Sequence, residues 1–219
     1  MAGQLRPDPR PGLRLLAAGD TAILVELGEG DAGAADVLGL HAALARTRPR
    51  AVLDLVPAER TLLVRFDRRS IAAADVARWI SETSPHTGSG TAVDEVVLHV
   101  RYDGADLDDV GRLTGLGSDG VVEAHTGRPW TVAFTGFAPG FGYLVNGDPR
   151  LRVPRRDSPR VRVPAGSVAL AAGYSGVYPR PSPGGWQLIG ATDAVLWDVT
   201  ADPPALLRPG VRVRFRSVG

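Results

Sequence analysis

The chain contains neither cysteine nor lysine in its 219 residues. The first absence excludes a disulfide framework, a thiolate nucleophile and a Cys-ligated zinc site, and it fits a cytoplasmic location. The second makes all 25 of its Lys and Arg positions arginine. No apolar run approaches the roughly 20 residues that a membrane helix needs. The opening MAGQLRPDPRPG lacks the apolar stretch of a secretory signal, and its prolines predict a disordered tail over residues 1–12. A net charge of +1 gives no strong global field, so neither nucleic acid nor membrane is an expected partner. The four histidines, His41, His86, His99 and His125, show no metal-binding spacing, and no metal site is assigned to the chain. Nor do the acidic residues form an evident general acid/base pair.

What the chain does have is concentrated between Phe134 and Trp186. There glycine and proline supply most of the punctuation, arginine most of the charge, and aromatic residues stand beside the glycines. Such a stretch cannot be mainly helix. It predicts short strands joined by rigid turns, and rigid turns carrying arginine and aromatic side chains form preorganised pockets.

Periodicity divides the remainder. Leu13–Leu16 and Thr21–Leu27 read as strands around a Gly19-Asp20 turn. A helix is expected over about 32–46, burying Val37, Leu38, His41, Leu44 and Ala45, with Pro49 as its stop. Two more strands, Ala51–Val56 and Thr61–Phe66, precede a second helix over Ile71–Glu82, capped by Ser70 and burying Val76, Trp79 and Ile80. Residues 13–83 thus make a small two-layer α+β domain. The polar stretch 84–92 reads as a linker, and 93–219 as a second domain. The second domain opens with a strand over Val93–Tyr102 and a short helix after Asp106. A helix capped by Ser118 runs to about His125, whose imidazole would act as a C-terminal cation or, alternatively, face the pocket. Pro129–Phe134 is a strand, and the short apolar runs that follow predict a closed or nearly closed β-barrel.

Three constellations carry possible chemistry. In Gly136-Phe137-Ala138-Pro139-Gly140-Phe141-Gly142-Tyr143, a Gly-rich loop can present backbone N–H groups to an anion, or it can be a tight corner that packs its phenylalanines inward. From Arg150 to Arg162 there are six arginines and one aspartate. Prolines there would hold guanidinium forks ready for carboxylate or phosphate, although charge runs are commonly solvated. In Ser182-Pro183-Gly184-Gly185-Trp186 the indole can stack on a ligand or close the core. Ser167 and Ser175 have no partners that spacing alone certifies as a catalytic triad.

With these motifs in view, the chain resembles the family of the 5-oxoprolinase B subunit, also called allophanate hydrolase subunit 1 or the KipI type. The resemblance is carried by GFAPGFGYL, PRLRVPRRDSPRVRVPAGSVALAAG, GVYPRPSPGGWQLIGAT and the closing LLRPGVRVRF, with GDTAILVELG and DLVPAERTLLVRFD in the first half. It implies a cyclophilin-like barrel after a small α/β-sandwich domain. It also implies work as a hetero-oligomer, with a carboxyltransferase-type C subunit and with a separate A subunit. Together these open 5-oxo-L-proline to L-glutamate at the expense of ATP, with Mg²⁺ expected alongside the nucleotide. Relatives in urea carboxylase, and one that inhibits a histidine kinase, supply the alternatives. Carried over by motif, the binding or interface residues are Gly136, Phe137, Pro139, Gly140, Phe141 and Tyr143; Arg155, Arg156, Arg160, Pro164, Ala165, Gly166 and Ser167; and Ser182, Pro183, Gly184, Gly185 and Trp186. Gly142 stands where many members have proline, and Tyr174-Ser175-Gly176 where Gln-Thr-Gly is usual. The three loops are expected to converge on one cavity at the barrel mouth.

Overall fold

The structure is a computed structural model that describes residues 12–28, 34–84 and 94–219. The chain divides into two compact units, Met1–Ala92 and Val93–Gly219. The tail expected over 1–12 falls outside the described residues except for Gly12, and the linker expected over 84–92 does so except for Ser84.

In the first unit β1 (Leu13–Ala17), β2 (Ala22–Leu27), β3 (Val52–Pro57) and β4 (Thr61–Phe66) form an antiparallel sheet in the order β1-β2-β4-β3. Alternation puts one set of side chains inward, and register matches them across strands. Leu15 faces Val25, Val25 faces Leu62 and Ile23 faces Val64, all fully buried. Two helices, α1 (Ala34–Arg46) and α2 (Ala73–Glu82), complete this core. In α1 the buried line is Val37, Leu40, Ala43 and Leu44, whereas Ala45 is exposed and Leu38 and His41 are only half-buried. The expected stripe was therefore turned slightly around the helix, toward the polar imidazole. Val76 and Ile80 of α2 are buried as expected, and Trp79 partly so. Ser70 is not its cap. Its hydroxyl donates to Asp67 at 2.7 Å, and the helix begins after Ala72 without a side-chain cap.

The second unit is a nearly closed barrel. Its strands are β5 (Glu95–Val100), β6 (Trp130–Thr135), β7 (Gly142–Val145), β8 (Arg160–Val163), β9 (Ser167–Ala171), β10 (Tyr174–Val177), β11 (Ser182–Gly184), β12 (Gln187–Ala191) and β13 (Arg212–Ser217). Seven of them run in the order β12-β9-β10-β7-β6-β13-β5, while β8 and β11 form a separate ribbon. All pairs are antiparallel except β13 with β5. Beyond the end of β5, Arg101 exchanges two 2.9 Å backbone hydrogen bonds with Ala191 of β12, bringing the two edges of the sheet together. Buried Leu98, Val100, Val132, Leu144, Leu170, Ile189 and Phe215 fill the interior.

Two helices, α3 (Leu107–Thr114) and α4 (Gly117–Thr126), lie between β5 and β6. Ser118 sits inside α4 rather than capping it, and its hydroxyl donates to Asp108 at 2.5 Å. At both positions the serine hydroxyl donates to a nearby carboxylate, a charge-assisted bond, and neither helix has a side-chain cap. Among the described residues, no helix is long and apolar enough to cross a membrane.

Candidate binding site

The hairpin bend between β6 and β7 is drawn tight by its own backbone. Gly136 N–H donates to Phe141 O at 3.3 Å, and Phe141 N–H to Ala138 O at 3.0 Å. Gly140 has φ +84, and a Cβ there would lie 2.9 Å from Trp197 Cβ, so the position requires glycine. Phe137 has φ +64, a conformation that strains a bulky residue, and its ring is 57% exposed. Phe141 turns the other way. It is buried, with its ring edge-on to Tyr178 and Trp186 at 5.5 Å each. The inward-packing expectation therefore holds for Phe141 and fails for Phe137.

The other two bends are tied to each other. Strand β8 pairs with β11 through Val163–Ser182 and Arg160–Gly184, and Arg156 N–H donates to Gly185 O at 2.8 Å. Pro164 and Ala165 form the exposed turn before Gly166, whose N–H donates to Tyr178 O at 2.7 Å. Ser167 lies buried at the start of β9, and Pro183 is exposed on β11. Trp186 is buried in a cluster with Phe141 and Tyr178, its ring 5.6 Å from that of Tyr143. Gly176 permits this packing, since a Cβ there would come within 2.8 Å of Phe141 and 3.1 Å of Trp186.

The arginines are sorted by a residue that lies outside all three motifs. Asp106 is 1% exposed and accepts hydrogen bonds from both terminal nitrogens of Arg160 (2.9 and 2.8 Å), from Arg156 (2.5 Å) and from Leu188 N–H (2.7 Å). Burial works against its charge, but these bonds and the two guanidinium charges outweigh it and hold the carboxyl below its ordinary range. Asp106 stands at the N-terminus of α3 without capping it, because its oxygens are spent on these partners. Arg156 retains a buried Nε–H that finds no acceptor among the described residues. Arg155 is exposed and makes no hydrogen bond or ion pair with any described residue.

The three bends thus meet, but their guanidiniums and rings open onto different clefts rather than one cavity. A cleft of about 600 Å³ is lined by Asp109, Arg112 and Leu113 of α3, by Pro154, Arg155, Arg156, Asp157 and Ser158, and by Gln187. Another, of about 400 Å³, lies between residues 135–140 and Trp197 with Ala205. Trp197 is 40% exposed and lines this cleft with Phe137, whose ring lies edge-on to Phe141 and Tyr178 at 5.3 and 6.0 Å. Asp106, Gln187 and Trp197 are therefore site positions not anticipated from the sequence. The apolar run Ala194-Val195-Leu196-Trp197 was a signal for the last, whereas Asp106 has partners 50 and 54 residues away and gave none.

A second polar cluster lies within the barrel. His125 is wholly buried, with Nδ1 2.7 Å from Tyr102 Oη and Nε2 2.8 Å from Ser175 Oγ. Burial pushes the imidazole down to about 3 and raises the Tyr102 phenol. His125 is accordingly a neutral core residue, not the C-terminal cation expected of it. Among the described residues no group of three or more His, Asp or Glu side chains could hold a metal ion.

Comparison with known proteins matches residues 13–207 to the carboxyltransferase domain, subdomain C and D. The chain is 39% identical over 168 residues to the B subunit of the 5-oxoprolinase of Escherichia coli O157:H7, covering 75% of this chain and 77% of that relative. It is 45% identical over 112 residues to the corresponding 5-oxoprolinase B subunit of Bacillus subtilis (strain 168), covering 51% and 47% respectively. Among solved structures, TTHA0988 superposes with a TM-score of 0.78 at 37% identity, over 90% of this chain and 40% of that one. The chain thus corresponds to two fifths of that longer polypeptide. The Kluyveromyces lactis urea carboxylase, at 19% identity and a TM-score of 0.70 over all of this chain and 23% of its own, shares the fold.

Proposed function

Since the chain belongs to the carboxyltransferase-domain family of subdomains C and D, with relatives named as the B subunit of 5-oxoprolinase, we propose that it is the B subunit of an ATP-dependent 5-oxoprolinase. In this role it opens 5-oxo-L-proline to L-glutamate in the cytoplasm together with a carboxyltransferase-type C subunit and an A subunit, and it is inactive alone. The observation that carries the reading is the assembly of all three motif-bearing bends around Trp186 in a chain 39% identical to such a protein. Rigid bends suit this chemistry. Phosphoryl transfer to an amide oxygen is a problem of positioning and charge neutralisation, for which fixed arginines and backbone N–H groups are the protein's means.

The strained, outward Phe137 beside Trp197 supports a protein contact at this bend. A bulky side chain held in a costly conformation and in water is retained only where something covers it. The C subunit is the proposed cover. Phe137→Gly relieves the backbone strain but gives up the ring contacts with Phe141 and Tyr178, so the urea stability of the isolated chain should change by less than about 1 kcal/mol while its affinity for the C subunit falls. Unchanged affinity would remove Phe137 from the interface.

The test of function is ADP release dependent on 5-oxo-L-proline, measured with all three proteins after their assembly has been verified by size-exclusion chromatography. Absence of turnover in that complex refutes the reading.

A further inference from the structure

We infer that the cleft between α3 and the Pro154–Ser158 bend binds a small monoanionic amide, with Arg155 on its carboxylate and Gln187 on its amide. The inference rests on the proposed function and names where in this chain 5-oxo-L-proline would be held.

Charge decides between the possible occupants. The lining carries three guanidiniums (Arg112, Arg155 and Arg156) against two carboxylates (Asp109 and Asp157), an excess of one positive charge. Behind it the Asp106–Arg160 pair adds nothing to the balance. One excess positive charge matches one carboxylate and falls well short of a triphosphate. The cations are also unequally engaged. Arg112 is paired with Asp109, and Arg156 with Asp106. Arg155 is the guanidinium left without an anion among the described residues, and it stands at the cleft. Its planar fork suits a carboxylate bidentately.

Gln187 supplies the second half of the recognition. It is 6% exposed, lines the cleft, and commits one amide N–H to Pro154 O at 3.3 Å. That bond fixes the side chain and leaves its carbonyl and second N–H for a ligand. A lactam presents the complementary N–H and C=O side by side. Leu113 and Pro154 give the cleft apolar walls for the ring methylenes. At about 600 Å³ it lies within the usual range for small-molecule sites.

The experiment uses the assembled complex and measures both equilibrium binding by calorimetry and steady-state ADP release. The ligands are 5-oxo-L-proline, 2-pyrrolidinone (no carboxylate) and L-proline (no lactam carbonyl). Arg155→Ala removes no internal bond, so the variant folds. It should raise the Kd and KM for 5-oxo-L-proline about tenfold to a hundredfold with little change in kcat. Arg155→Lys should recover part of this, and binding of 2-pyrrolidinone should be insensitive to both. Gln187→Leu should weaken binding of 5-oxo-L-proline and 2-pyrrolidinone but not of L-proline. A wild-type complex that turns over while Arg155→Ala and Gln187→Leu behave like it overturns the site and leaves the function standing. A wild-type complex that neither binds nor turns over 5-oxo-L-proline overturns both.

Discussion

Two buried polar networks in the barrel unit solve the same problem in opposite ways. Around Asp106 the charge is kept, because two guanidiniums and a backbone N–H surround the carboxylate. Around His125 the charge is refused. Tyr102 and Ser175 are neutral partners, the rings of Trp130 and Phe215 stand 5.2 and 4.2 Å away, and the imidazole remains uncharged. The difference follows position. Arg156 and Arg160 approach Asp106 from the partly exposed loop side and keep contact with water, whereas no charged group among the described residues reaches His125. Buried charge is tolerated where counter-charges come with it, and elsewhere the group gives up its proton instead.

Removing one member of each network should separate the two. Asp106→Ala leaves two guanidiniums facing each other with no anion between them. It should cost about 3 to 5 kcal/mol, seen as a lower urea midpoint with an unchanged slope. A loss below about 1 kcal/mol would mean that water already satisfies these arginines.

Acid should act on the two networks in different windows. The His125 pKa is depressed in the folded state, so its stabilising share is complete above the unfolded value near 6.5 and is lost as pH falls toward about 3. The slope approaches about 1.4 kcal/mol per pH unit. Asp106 is also depressed, but from a carboxylate's ordinary value, so its share is lost only below about pH 4. Half-buried His41 is lowered too, chiefly by burial, so the comparison must be made against His125→Gln. The stability difference between the two proteins should shrink steadily from about pH 6.5 to 4.5. A constant difference over that range would show that His125 is not buried neutral. The smallest effect is reserved for Ser175→Ala. Loss of one neutral partner from Nε2 should cost about 1 to 2 kcal/mol and leave the acid window in place.

Local patterning was legible wherever it sufficed to define an element. The alternation Val96, Leu98, Val100 gave β5, and glycine and proline marked the bends between β6 and β12. The family motifs led to Arg155, Trp186 and the glycines beside them. What could not be read was the choice each polar side chain makes among distant partners. Ser70 and Ser118 have cap chemistry, and only the fold reveals the carboxylates that claim them. Arg155 and Arg156 are adjacent in sequence, yet one is bound to a buried aspartate 50 residues away and the other is left open to the cleft. The convergence of the bends was anticipated, but their opening onto separate clefts depends on which rings turn inward, as Phe141 does and Phe137 does not.

The parallel pairing of β5 with β13, from Arg212 opposite Glu95 to Ser217 opposite Val100, has a consequence for how this unit comes into being. Its earliest strand is wedged against its latest, so on the ribosome Glu95–Val100 must wait, unpartnered on that side, while almost everything else in the unit is synthesised. A pairing of such long sequence separation is slow to form and leaves an aggregation-prone edge in the interval. Closure of the barrel therefore waits for the end of the chain, and production of this chain should be more sensitive to chaperone supply than its modest size would indicate.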